Sequence, residues 1–143
     1  MTAVHSTGQK GGIYMAAGKN LVPGSAQMLL LRLLAERLGV PYLNLFHIFA
    51  ETGMVGADRR SLIRNEANSG TKDGAHPTED GYRFIAALVY LALRDNRCDC
   101  SRLVCFGDSI TYGYPYSGMG TLEGGNFPAL LGKLLNTGYE SEK

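Results

Sequence analysis

The chain has no tryptophan, and only three cysteines, three histidines and five prolines among 143 residues. Three cysteines are an odd number and too few for a disulfide framework. Cys105 falls inside an apolar run, where a free cysteine behaves as a small hydrophobe. Cys98 and Cys100 form C-x-C in a polar connector, with no second cysteine or histidine pair to complete a zinc site. No metal is therefore expected at these cysteines, and a reducing, cytoplasmic setting fits the cysteine usage. Charge of neither sign dominates: 14 basic against 13 acidic residues leave a net +1. Without a basic block or a basic–aromatic alternation, the sequence gives no reason to expect a nucleic-acid partner. Long hydrophobic runs are missing too. The longest, Met28–Leu34 and Ile85–Leu93, fall far short of a membrane span, so no membrane partner is expected. The first residues, MTAVHSTGQKGG, lack the apolar core of a signal peptide. A phosphate-cradling loop is also lacking, because GGIYMAAGKN carries neither G-x-G-x-x-G nor G-x-x-x-x-G-K-[ST]. That argues against a nucleotide binder.

What is present is the composition of one globular domain, 45% hydrophobic and 19% charged, spanning residues 1–143. Residues 1–12 read as a loose polar lead-in and Ile13–Ala17 as a strand, followed by a loop over Gly18–Gly24 that contains Pro23. Ser25 can cap a helix to about Leu38, with Leu30, Leu31, Leu34 and Leu38 at helical spacing and Gly39 as its stop. Val40–Phe46 reads as a strand, and residues 50–72 as irregular, with one helical turn around Arg59–Arg64. Thr78 caps a strong helix to about Arg94, whose apolar stripe is Tyr82, Ile85, Ala86, Val89 and Leu93. A connector around 98–102 leads to the strand Leu103–Phe106, then to a glycine-rich loop over 113–125. The last helix starts at Asn126 with Pro128 in its first turn and runs to about Asn136, with Gly138 as its stop. This alternation predicts an α/β fold: a three-layer, flavodoxin-like parallel sheet flanked by helices, with functional loops at the carboxyl ends of the strands.

Ser109 falls at such an end, where Leu103-Val104-Cys105-Phe106 breaks into Gly107-Asp108-Ser109. A serine hydroxyl needs a base to take its proton, and the base needs a third group to hold its tautomer. His5 lies in the polar lead-in, and His47 reads as a loop or core histidine. His76 stands in Asp73-Gly74-Ala75-His76-Pro77-Thr78, immediately before a helix. A tight turn at Gly74 can fold the Asp73 carboxylate back onto one imidazole nitrogen and leave the other facing a hydroxyl. An acid at a helix start is also welcome for the helix alone.

Val104–Gly113 resembles the nucleophile block of the SGNH (GDSL) hydrolases, and Asp73–Thr78 with Gly81-Tyr82 resembles that family's Asp-x-x-His block. Residues 13–97 are similar to the family's C-terminal half and 103–143 to its N-terminal half, so the order is that of a circular permutation. The resemblance implies an ester hydrolase acting on a small ester through an acyl-enzyme on Ser109, without a metal or organic cofactor. It makes His76 the general base and acid, Asp73 its orienting partner and the Ser109 N–H one oxyanion donor. Gly107 and Asp108 would support the turn, and Tyr112 and Gly113, with Tyr114 and Tyr116 nearby, would lie along the substrate loop. The family's middle glycine and G-x-N-D blocks have no match, so the sheet is expected to be incomplete, with a homo-oligomer or a complementing polypeptide covering its edges. Asn20, Asn44, Asn65 and Asn68 are the asparagines one would nominate in place of those blocks, although loop, cap or strand-edge roles suit them better. The alternative is a non-catalytic α/β binding or oligomerisation module with a vestigial triad.

Overall fold

The computed structural model describes residues 2–6, 12–15 and 26–140, and the side chains of residue 26 and residues 28–137. The expected loop at 18–24 and the cap at Ser25 lie outside the described residues. Part of the lead-in forms a strand, β1 (Thr2–Ser6), which pairs antiparallel with β2 (Gly12–Met15). After β2 comes α1 (Ala26–Leu38), which Gly39 closes in the left-handed conformation, its N–H donating to the Glu36 carbonyl.

The strand expected over Val40–Phe46 shrinks to β3 (Tyr42–Leu43), because Asn44 caps a helix in its place. The Asn44 side chain accepts from the His47 N–H at 3.0 Å and starts α2 (Leu45–Glu51). An asparagine supplies the acceptor that a helix start lacks, and here that local bond overrides the strand-like pattern. No helical turn forms over Arg59–Arg64. Asn65 and Asn68 instead build a reciprocal capping box for α3 (Glu66–Ser69), one turn later. Thr78 caps α4 (Glu79–Asp95) through the Gly81 N–H. Then follow β4 (Leu103–Phe106), the single turn α5 (Ser109–Tyr112) and α6 (Phe127–Glu140). The Asn126 side chain starts α6 by accepting from Ala129, and the helix runs through Gly138 instead of stopping there.

Among the described residues a flavodoxin-like, three-layer parallel sheet does not form; they are helix-rich, with four short strands. Their order is β3-β2-β1-β4, and β1 pairs antiparallel with both of its neighbours. The parallel contact is confined to β2 and β3, over Tyr14–Tyr42 and Met15–Leu43. Burial explains why β4 is not the centre of a parallel sheet. Such strands are covered on both faces, whereas Val104 is 41% and Phe106 71% exposed.

The core lies against the other face of β4, where Leu103 and Cys105 pack on it. Tyr82, Ile85, Ala86, Val89 and Leu93 of α4, all within 2% of full burial, pack with Phe127 and Leu131 of α6, Leu45 and Phe49 of α2, and Ile110. The expected leucine stripe of α1 is not part of it. Met28 and Ala35 are buried, but Leu29, Leu30, Leu33, Leu34 and Leu38 stand exposed, because among the described residues α1 meets chiefly the two-residue β3. No helix among the described residues is long and apolar enough to cross a membrane.

Candidate active site

The turn carrying Asp73 and His76 is clamped along its backbone. The Gly74 N–H donates to the Arg64 carbonyl, the Arg64 N–H to the His76 carbonyl and the Thr78 N–H to the Leu62 carbonyl, each at 2.8 Å. Gly74 sits at φ +72°, in the left-handed region that glycine enters without strain. Gly81 is fixed by close approach, since a Cβ there would collide with the Leu62 carbonyl oxygen. Segment 62–64, the turn and the first turn of α4 are therefore one unit. Within it Asp73 Oδ1 accepts from the Ala75 N–H at 3.1 Å and the His76 N–H at 3.0 Å. The same carboxylate takes the imidazole: His76 Nδ1 lies 2.9 Å from Oδ1 and 3.0 Å from Oδ2.

Ser109 arrives from the opposite side. β4 ends at Phe106, and Asp108 caps α5 by accepting from the Ile110 N–H at 3.1 Å. Ile110 turns into the core while Ser109, the first residue of the helix, stays exposed. Its Oγ lies 2.9 Å from His76 Nε2. The structure therefore brings Ser109, His76 and Asp73 into one hydrogen-bonded chain, across a sequence separation of 33 residues between serine and histidine.

Burial disfavours the charge on Asp73. The His76 N–H, the His76 ring and the Ala75 N–H outweigh it, and the carboxyl titrates below its ordinary value. An ionised carboxylate can only accept, so the imidazole proton sits on Nδ1 and Nε2 is left to accept from the Ser109 hydroxyl. That tautomer is the one a base toward Ser109 requires.

Arg64 joins the site without a sequence signal to mark it, and Tyr82 joins it from the Gly81-Tyr82 pair that follows the histidine block. The Arg64 Nε lies 3.5 Å from Asp73 Oδ2, a charge contact made by a side chain only 13% exposed. Its guanidinium also sits 5.7 Å from the centre of the Tyr116 ring. Tyr82, fully buried, donates its hydroxyl to the Tyr114 carbonyl at 2.9 Å, and burial raises its pKa strongly. The Tyr114 ring stands 4.8 Å from His76. Arg64 lies in a stretch that reads as irregular and polar; only its place in the 62–64 clamp gives it a role.

The remaining nominated residues divide. Gly107 and Asp108 stay at the serine turn, where Asp108 is the helix cap. Gly113 closes α5 at φ +93°, and a Cβ there would collide with Asn126. Tyr112 is 54% exposed and packs against Gly120, where a Cβ would meet its ring. Asn44, Asn65 and Asn68 serve as caps. Asn65 further donates to the Gly56 and Asp58 carbonyls, and Asn68 to those of Ser61 and Ile63. Asn20 and the side chain of His5 lie outside the described residues. His47 is on the surface of α2, 3.8 Å from Glu51. Among the described residues no three histidine, cysteine or acidic side chains gather as a metal site.

Two cavities flank the triad. One, of about 180 Å³, lies between α2 and the turn of His76, and the other, of about 600 Å³, lies beside β4 and the serine turn. Comparison with family models, with curated proteins and with solved structures finds no match to this chain.

Proposed function

We propose that the chain is a serine ester hydrolase of SGNH type, with Ser109 as nucleophile, His76 as general base and acid, and Asp73 as its orienting partner. The observation that carries this reading is the unbroken chain Ser109 Oγ–His76 Nε2 at 2.9 Å and His76 Nδ1–Asp73 at 2.9 and 3.0 Å. Ser109 Oγ attacks the ester carbonyl carbon as its proton passes to His76 Nε2. The imidazolium formed is stabilised by Asp73 and returns that proton to the departing alcohol. Water then gives a proton to the same nitrogen and attacks the acyl-serine, and His76 passes that proton to Ser109 Oγ as its bond to the acyl carbon breaks and the acid leaves, so one ester and one water yield one acid and one alcohol. By the resemblance, the Ser109 N–H serves as one oxyanion donor. Of the nominated asparagines, Asn44, Asn65 and Asn68 are engaged in helix caps, and each oxyanion donor an enzyme lacks costs a factor of about 10²–10³ in rate. Slow turnover is accordingly expected.

A non-catalytic module is favoured by a different observation, the apolar exposure of Val104, Phe106 and the α1 leucines. Covalent labelling by a fluorophosphonate decides between the two. Wild-type protein should label at Ser109, and Ser109→Ala should not; equal labelling of both proteins leaves only the module.

A further inference from the structure

The segment Tyr114-Pro115-Tyr116 bridges the two sides of the triad. The Tyr114 N–H donates to the Ser109 carbonyl at 3.0 Å, which ties the segment to the turn carrying the nucleophile. The Tyr114 carbonyl accepts from the Tyr82 hydroxyl at 2.9 Å, which ties the same residue to the first turn of α4, behind the histidine. Tyr82 is fully buried, and its hydroxyl would be left unpaired without that acceptor. Two residues on, the Tyr116 ring meets Tyr82 edge-on at 5.9 Å and carries the Arg64 guanidinium over it.

With both backbone groups engaged, the Tyr114 ring does not turn into the core. It stays 46% exposed, its centre 4.8 Å from that of His76. Aromatic rings attract each other at this separation, and the 59° tilt avoids the unfavourable face-to-face sandwich. The imidazole needs such a neighbour. Its hydrogen bonds run from Nδ1 to Asp73 and from Nε2 to Ser109, outward in nearly opposite directions across the ring. Two bonds so arranged resist rotation of the ring about their common axis only weakly, because each tolerates a broad range of angles. A ring packed against the imidazole stops that swivel.

We infer that Tyr114 is a positioning residue, whose ring holds the His76 imidazole in line with Ser109 while the Tyr82 hydroxyl keeps that ring in place. This rests on the hydrolase reading above and adds a residue to its machinery. The role is separate from that of Arg64, which bears on the carboxylate instead of the imidazole. It also differs from the substrate-loop role implied by the resemblance, since Tyr114 acts here on the base and not on the ester.

The test is Tyr114→Leu, read by fluorophosphonate labelling at Ser109 over a range of probe concentrations. A misplacement of about 1 Å costs about 10²-fold, and the swivel allowed by one missing ring should lower the limiting rate about tenfold. The half-saturating probe concentration should not change. Tyr114→Phe keeps the ring and should label like wild type, and Tyr82→Phe, which frees the Tyr114 carbonyl, should fall between the two. Tyr114→Gln also lacks a ring and takes the place of the leucine variant should that protein fail to fold. An unchanged limiting rate in Tyr114→Leu, or a Tyr114→Phe protein no better than Tyr114→Leu, overturns the inference. So does a raised half-saturating concentration at unchanged limiting rate, which returns Tyr114 to the substrate loop.

NMR supplies a readout that needs no reactivity. The nuclear Overhauser contact between the His76 ring and the Ser109 methylene should be strong in wild type, weakened in Tyr114→Leu and kept in Tyr114→Phe. That pattern, in a protein that labels no better than Ser109→Ala, supports the positioning role and overturns the hydrolase reading alone. A contact that Tyr114→Leu leaves intact overturns the inference whatever the labelling.

Discussion

Around Asp73 and His76 the chain is tied at each step. Three backbone hydrogen bonds clamp the turn, a glycine fits where no side chain could, and Arg64 and Tyr114 stand against the acid and the imidazole. Around Ser109 the support is thinner. The bonds that position the serine lie within its own turn, from the Asp108 cap to the Gly113 and Tyr114 N–H groups that donate to the Ser109 carbonyl. Ile110 is its buried anchor, while the strand that delivers it leaves Val104 and Phe106 open to solvent. The histidine wall is backed by the α4–α6 core, and the serine wall by a short antiparallel sheet. The contrast matches where the sequence repeats apolar residues at helical period and where it does not. A base needs its orientation fixed, whereas a nucleophile at the tip of a turn needs only to be presented.

The largest effects should come from breaking the histidine wall itself. His76→Ala removes the one acceptor of the Ser109 proton, and the fluorophosphonate labelling rate should fall by about 10³-fold or more. The double variant with Ser109→Ala should be no worse than Ser109→Ala alone, since the two groups act as one unit. Additive losses would mean that the 2.9 Å contact is not used.

Gly81→Ala tests the packing behind that wall. Its methyl would push on the Leu62 carbonyl, which already accepts from the Thr78 N–H and hydroxyl. Overpacking of this kind costs about 1–3 kcal/mol, and labelling should drop with it because the same segment clamps the turn. Gly132→Ala is the control: a Cβ there meets nothing within 4 Å. In the interior of α6 it should stabilise by about 1 kcal/mol. Denaturant midpoints of the two proteins should therefore move in opposite directions.

Arg64→Met separates positioning from chemistry. The residue lies against Asp73, so kcat should fall about tenfold with KM little changed, as a slightly misplaced carboxylate would produce. Arg64→Lys keeps the charge but not the planar stack on Tyr116, and should recover only part of the loss. Acid adds a second readout. Because Asp73 titrates below its ordinary value near 3.8, the stability it contributes is fully present above that pH and is lost as pH falls through the lowered native value. Asp73→Asn should flatten that limb of an acid-unfolding curve, and an unaltered limb would show that the carboxylate is not held by the N–H groups of Ala75 and His76.

Much of the histidine wall could be read from sequence. Thr78 as cap, the α4 stripe and the Asp73–His76 spacing are local signals, each decided within a few residues. The Leu103–Phe106 strand and its serine were legible for the same reason. What sequence did not reveal depends on distant partners. The lead-in reads as loose because its hydrogen bonds are made to β2 and to β4, about a hundred residues away. Asn44 shows only alternating apolar neighbours, and its cap becomes apparent once α2 is seen. The leucines of α1 have a helical period that is correct for a helix but silent on whether anything covers them. Arg64 owes its place to a backbone register between residues 64 and 76, which no spacing rule encodes.

The smallest effect should come from the open face of β4. Phe106 is 71% exposed and Val104 41%, so Phe106→Thr removes little apolar surface from a buried environment and keeps a β-branched residue in the strand. Its stability should stay within about 0.5 kcal/mol of wild type, as for most surface substitutions. A core truncation behind the histidine wall, Ile85→Ala, should cost about 2–5 kcal/mol in the same assay. The pair of values measures the contrast between the two walls directly. If Phe106→Thr costs as much as Ile85→Ala, Phe106 is covered in solution, by a second copy or by another polypeptide. A loss that shrinks on dilution of the protein would identify the second copy, because self-association stabilises the wild type less as it is diluted.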